Sequence, residues 1–228
     1  PAGGDSGSAG GITTAAATCP VVSINADSGA GSLRDCITYA NSNPGTEITF
    51  DPSLTGTTIA VTTALPAITE SGTTINGGTE NITLGGASCA SASCSGLTIG
   101  TTTSAANNVT IKSLTIQSFN GNGIYVVYGD GIIIGGSNVS DRNIIVSNGT
   151  SGTYSGIYIG SEGSGVTIQN NYIGIRADGS TVAANRNGIR IQSIPSMVYT
   201  AHNILGNVIS GNTNYGVYDA SSGHDYPG

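Results

Sequence analysis

Gly123-Ile124-Tyr125-Val126, Gly156-Ile157-Tyr158-Ile159, Gly188-Ile189-Arg190-Ile191 and Gly216-Val217-Tyr218 are four forms of one phrase, a glycine followed by alternating large residues. Their starts lie 33, 32 and 28 residues apart. A second set, Val109-Thr110-Ile111, Val166-Thr167-Ile168 and Asn207-Val208-Ile209, runs between them at less regular distances. Two-residue alternation marks a strand with one buried face. Its return at this period marks a solenoid in which each coil buries its inward side chains against the next.

Composition agrees with that reading. Of 228 residues 36 are Gly, only 8% are charged, Trp is absent and Phe occurs twice. A helical core would bring more Leu, Lys, Glu and aromatic residues, so the mixture of Gly, Ser, Thr, Asn, Ile and Val reads as all-β with many tight turns. At 37% hydrophobic residues the chain is too apolar to be disordered. No stretch approaches the roughly 18 uninterrupted apolar residues of a membrane span. The net charge of −7 comes from scattered residues with no basic stripe, which argues against nucleic acid as a partner.

From Glu47 onward strand-like segments follow one another about every ten residues, among them Ile48-Thr49-Phe50, Thr73-Thr74-Ile75, Ile82-Thr83-Leu84 and Leu97-Thr98-Ile99. The turn signals between them leave no room for crossover helices, so parallel strands can form only if the chain itself winds. The predicted fold is a right-handed parallel β-helix over residues 47–228, of about six to eight coils rising ~4.8 Å each. Residues 19–46 are read as an N-terminal strand and a capping helix. Leu33, Cys36, Ile37 and Ala40 recur at helical spacing, Ser32 suits the N-cap, and Asn43-Pro44-Gly45 ends the helix. Residues 1–18 are low in complexity and read as an arm that is flexible or orders on a partner. Asn170-Asn171, Asn203, Asn207 and Asn212 are candidates for hydrogen bonding between equivalent positions of successive coils, with simple turn chemistry as the alternative.

Four cysteines fall in two local couples, Cys19 with Cys36 and Cys89 with Cys94. Local disulfides are one arrangement, but sequence does not fix the connectivity. Zinc is disfavoured because the two histidines, His202 and His224, are remote. Disulfides, together with the lack of a signal-peptide pattern, read as a mature exported chain at the cell surface or outside it.

Asp27-Ser28-Gly29-Ala30-Gly31-Ser32-Leu33-Arg34-Asp35-Cys36-Ile37, then Ala40-Asn41-Ser42-Asn43-Pro44-Gly45 and Ile48-Thr49-Phe50-Asp51, resemble the N-terminal region of large exported bacterial right-handed β-helix proteins. Asn171-Tyr172-Ile173-Gly174 and Asn207-Val208-Ile209-Ser210-Gly211-Asn212 look like their repeated coils. The likeness covers about residues 21–220. It implies adhesion, stalk or scaffold roles at the cell surface. The helix of such proteins commonly carries Ala where this chain has Cys36, which supports a dedicated bond to Cys19. The chain also stops soon after a coil-like phrase, so an uncapped C-terminal rod end is expected.

Parallel β-helices often degrade polysaccharides, and a hydrolase of this kind needs carboxylates converging across the glycosidic bond. Here Asp130, Asp141, Glu162, Asp178 and Asp219 stand singly, and Arg190-Ile191-Gln192 matches the pectinase Arg-Ile-Lys poorly. A lyase would want a Lys or Arg base near acidic calcium ligands, yet Lys112 is the single lysine. His202 and His224 have no evident triad partner. No catalytic residue, cofactor or metal is therefore expected. Tyr125, Tyr158, Arg190 and Tyr218 share one place in the repeated phrase, between inward apolar residues. They predict an outward aromatic stripe for sugar rings or another protein, although ordinary strand preference for Tyr would also put them there. Asn81, Asn108, Asn138 and Asn148 begin N-glycosylation sequons, a number chance would supply among 20 asparagines.

The sequence thus reads as a secreted structural or surface protein without enzymatic activity. The expected partner is a second copy, bound head to tail through the rod ends and the N-terminal arm to form a fibre or adhesin. The alternative is a carbohydrate-binding or polysaccharide-degrading β-helix protein.

Overall fold

Isoleucine at alternate positions needs a dry interior on one side only, and the chain provides it by winding. The computed structural model describes residues 19–150, 152–192, 201–220 and 224–226. The arm expected at residues 1–18 lies outside them. Three parallel sheets run the length of a β-helix of about six turns.

Sheet one stacks Val21–Val22, Glu47–Phe50, Thr74–Asn76, Thr110–Lys112, Ile133–Gly135, Thr167–Gln169 and Asn203–Leu205. Sheet two stacks Thr58–Ala60, Thr83–Gly85, Thr115–Gln117, Ile144–Val146, Tyr172–Ile173 and Val208–Ile209. Sheet three stacks Leu97–Ile99, Ile124–Asp130, Ile157–Ser164, Ile189–Ile191 and Val217–Asp219 in parallel. His224–Tyr226 then pairs antiparallel with Val217–Asp219 and covers the last edge of this sheet, where an uncapped end was expected.

The core follows from the registers. Ile48, Ile75, Ile111, Ile134 and Ile168 form one inward column in sheet one. Ile59, Leu84, Ile116, Ile145 and Ile173 form its counterpart in sheet two. All are buried. At a rough 1.5–3 kcal/mol per buried aliphatic side chain, these columns supply most of the driving force for winding.

The glycine of the repeated phrase has a steric cause. A Cβ on Gly123 would lie 2.6 Å from the carbonyl oxygen of Gly156, one on Gly156 2.9 Å from that of Gly188, and one on Gly188 2.4 Å from that of Gly216. Each coil rests against the backbone of the next at this corner, and no side chain fits.

At the other corners asparagine replaces the ladder. Asn171 Oδ1 accepts from the backbone N–H of Asn143 at 3.1 Å and from its amide at 3.0 Å. Asn171 in turn donates its amide to Ile134 O at 2.9 Å and to Asn207 Oδ1 at 3.0 Å. Asn148, Asn185 and Asn212 form a second ladder, with Asn148 donating to Asn185 Oδ1 at 3.1 Å and Asn185 to Asn212 Oδ1 at 3.0 Å. Where the strand path bends, backbone groups turn away from the neighbouring coil, and the side-chain amides supply the missing donors and acceptors. Asn171, Asn207 and Asn212 thus take the stacked role expected of them. Asn203 is exposed and stands in no ladder, and Asn170 bonds the carbonyls of Gly136 and Ser137 with a left-handed backbone, φ 58°.

The second repeated set divides between two columns. Thr110 and Thr167 belong to sheet one, whereas Val208–Ile209 lies in sheet two, and the sheet-one partner of Thr167 is Asn203. The helix, α1, spans Leu33–Ala40, with the Ser32 hydroxyl accepting from the Asp35 backbone N–H. Its face of Leu33, Cys36, Ile37 and Ala40 is buried and closes the first coil. Cys36 is bonded to Cys19, and Cys89 to Cys94.

The ladder generates a prediction. Asn171→Ala would remove the acceptor of the buried Asn143 backbone N–H, one of the two acceptors of the Asn143 side-chain amide, and the side-chain donor to Ile134 O, at about 1–3 kcal/mol for each bond lost. Urea denaturation should show a loss of at least about 3 kcal/mol, against less than ~1 kcal/mol for Ala at exposed Asn203.

Candidate functional site

The outward column of sheet three is formed by the tyrosines and arginine of the repeated phrase. Tyr125 pairs in register with Tyr158, Tyr158 with Arg190, and Arg190 with Tyr218. The rings of Tyr125 and Tyr158 stack with centroids 4.9 Å apart and planes 13° apart. The Arg190 guanidinium lies 5.1 Å from the Tyr158 ring and 5.7 Å from that of Tyr218. Tyr215, from the loop before the last strand, stacks on Tyr218 at 5.1 Å. The strand spacing of ~4.8 Å is close to a stacking distance, so parallel register alone aligns the rings.

Two hollows flank this column. Along strands Ile124–Asp130 and Ile157–Ser164, a groove of about 390 Å³ is lined by Thr102, Tyr125, Tyr128, Tyr158, Glu162 and Gln192, among others. There the Tyr158 hydroxyl donates to Gln192 Oε1. Burial, and then the proximity of Tyr158, raises the Tyr125 phenol above its usual range and keeps it protonated as a donor. On the opposite side, a hollow of about 220 Å³ is lined by Arg186, Asn187, Arg190, Asn214, Tyr215 and Tyr218. Arg190 Nη1 donates to Thr153 O at 3.0 Å across it.

Sequence spacing found Tyr125, Tyr158, Arg190 and Tyr218. It missed Tyr128, Glu162, Gln192, Arg186 and Tyr215. Strands Ile124–Asp130 and Ile157–Ser164 run on past the phrase and pair again after a bulge, which brings Glu162 beside Tyr128. The only hint of that in the sequence was the unbroken Tyr125-Val126-Val127-Tyr128 run.

The remaining acids serve local structure. The Asp178 carboxylate accepts from the backbone N–H groups of Ser180 and Thr181 and from the Thr181 hydroxyl, which hold its pKa down to about 2. Asp141 pairs with Lys112 at 3.5 Å. Asp27 accepts from Arg34 at 2.9 Å. Burial alone would raise its pKa, but the Thr62 backbone N–H and Arg34 outweigh that and lower it. Asp130 is exposed at the end of its strand. His202 Nδ1 accepts from the Val166 N–H at 3.2 Å, and burial lowers its pKa while Asp219 partly opposes the shift. Among the sequon asparagines, Asn81, Asn108 and Asn138 are exposed. Asn148 is 1% exposed with its amide committed to the ladder, so the folded chain cannot carry a glycan there. Among the described residues no three His, Cys, Asp or Glu converge as a metal site, and no helix is long and apolar enough to cross a membrane.

No family model matches the sequence, and neither does any curated protein. Among solved structures, the crystal structure of an alginate lyase from Paenibacillus sp. str. FPU-7 matches with a TM-score of 0.52 and 15% sequence identity. The match covers 86% of this chain and 60% of the lyase chain, so this chain spans less than two thirds of that protein's length. At that identity the likeness is one of fold. It nonetheless corrects the expectation that the chain is not an enzyme, because the same winding houses a polysaccharide lyase. That expectation rested on the absence of paired carboxylates, which hydrolysis requires, and of a Lys or Arg base beside acidic calcium ligands, the one arrangement sought for a lyase.

His202 makes stability depend on pH. A neutral imidazole is needed to accept from Val166, and the folded pKa lies below the unfolded value near 6.5. The unfolded chain therefore binds the proton first, and stability should fall as pH drops below about 7. Asp27, Asp51 and Asp178, all depressed, hold their contribution until pH falls below the ordinary 3.8. Melting temperature against pH should show both declines, and His202→Gln should remove the first while leaving the second.

Proposed function

We propose that this is an extracellular polysaccharide-active β-helix protein that lays a glycan along the outward column of sheet three. The observation carrying the proposal is the continuous run Tyr125, Tyr158, Arg190, Tyr218, Tyr215, in which rings and one guanidinium stack face to face between two hollows. With their faces taken up by one another, the rings offer a glycan their outward edges and hydroxyls, while polar groups in the flanking hollows meet its own hydroxyls. Tyr125, Tyr158, Arg190 and Tyr218 are held in strand register, so little ordering entropy opposes binding. The two disulfides support an oxidising location.

The chemistry favoured is elimination. Hydrolysis asks for two carboxyl groups within roughly 5–9.5 Å of one another. Among the described residues, Glu162 is the one acid lining either hollow. Elimination asks for a group that takes a proton from a sugar carbon and one that returns a proton to the departing oxygen, and tyrosine hydroxyls and a carboxylate are the groups available to do it. Tyr158, whose hydroxyl is oriented by Gln192, is the leading candidate. Head-to-tail assembly lacks comparable support, since the arm it needs lies outside the described residues.

The test is incubation with a panel of neutral and acidic polysaccharides, reading the ultraviolet absorbance of unsaturated sugar ends together with retention on immobilised glycan. Turnover of at least one member is expected, falling about hundredfold or more in Tyr158→Phe. Tyr158→Ala should weaken retention by about tenfold. A protein that neither retains nor cleaves any member would refute the proposal.

A further inference from the structure

The hollow on the N-terminal side of the column differs from the rest of this acidic chain. Its lining includes Arg186 and Arg190 and, among the described residues, no carboxylate. Neither arginine forms an ion pair among the described residues, whereas Arg34 and Lys112 both do. The side chain of Arg186 makes no hydrogen bond within the described structure. Arg190 is held by two aromatic faces and one carbonyl, and its Nε is buried without an acceptor. Asn187 Oδ1, in the same hollow, is buried without a donor.

Arg190 is half-buried among rings and has no counter-charge among the described residues, a cost that an anionic ligand would offset. We propose that this hollow binds the carboxylate-bearing unit of an acidic polysaccharide, a uronate residue. The proposal rests on the polysaccharide reading above and names its substrate class. The Arg186 and Arg190 guanidinium groups would take the planar carboxylate, for which a guanidinium fork is shaped. Tyr218 and Tyr215 supply the wall for the ring. The hollow of about 220 Å³ equals about seven waters at ~30 Å³ each, the bulk of one sugar unit.

The net charge of −7 does not oppose this. At physiological ionic strength the screening length is about 8 Å, so distant acids are damped while two arginines in contact with the ligand are not.

The experiment compares binding of a polyuronate with that of the same polymer after chemical reduction of its carboxyl groups, by titration calorimetry at two salt concentrations. Binding about tenfold or more tighter to the polyuronate is expected, with the difference shrinking at high salt. Arg186→Gln should lose most of that difference while unfolding at the same temperature. Arg190→Lys, which keeps the charge but not the fork, should lose part of it. Equal affinity for the two polymers overturns this inference and leaves the polysaccharide reading standing. Binding to neither overturns both.

Discussion

Every coil must satisfy the backbone groups that its own bends expose. Along the three sheets the parallel ladders do this, but at the corners the chain turns and its N–H and C=O groups no longer face the coil beside them. The asparagine ladders through Asn143, Asn171 and Asn207 and through Asn148, Asn185 and Asn212 continue the bonding with side-chain amides. An amide carries both a donor and an acceptor, so each residue can receive from one neighbour and give to the next. An aliphatic residue there would leave a buried carbonyl unpaired, and the cost would recur at every coil. The glycine column at Gly123, Gly156 and Gly188 is the complementary constraint, where backbone meets backbone and no side chain is admitted. Together these corners hold the register that gives the exterior its order.

That dependence explains what was legible in the sequence. The Gly-Ile-Tyr phrase announced a column because glycine, inward aliphatic and outward residue each answer to a separate requirement of stacking, and all three recur together. The capping helix was legible for similar reasons, since Ser32 and the spacing of Leu33, Cys36, Ile37 and Ala40 are local signals. Val208 and Ile209 were harder. Equivalent positions are separated by 23 residues at one coil and 36 at another, as the Asn107–Asp130 and Asn171–Asn207 bonds show, so distance along the chain does not say which sheet a short apolar pair joins. The corner asparagine does: Asn171 and Asn207 each precede a sheet-two strand.

The surroundings of the column were less legible than the column itself. Tyr215 and Arg186 come from loops, and Glu162 arrives beside Tyr128 only because a bulge shifts the register of two extended strands. Loop residues carry no periodic mark, and a bulge has no reliable one. The search for paired acids and for a basic residue beside calcium ligands asked the sequence for two known arrangements, while the described side chains lining the two hollows are hydroxyls, amides, Glu162 and two guanidinium groups. Asn148 is the converse case. Its sequon is legible, but its place inside a ladder is not.

Arg190 interrupts what would otherwise be a uniform row of tyrosines. A polymer of identical units lying on identical rings could slip by one unit at no cost, since each position would look the same as the next. A lone cation in the row removes that equivalence. One unit is then distinguished from its neighbours, so a bound chain would have a fixed frame.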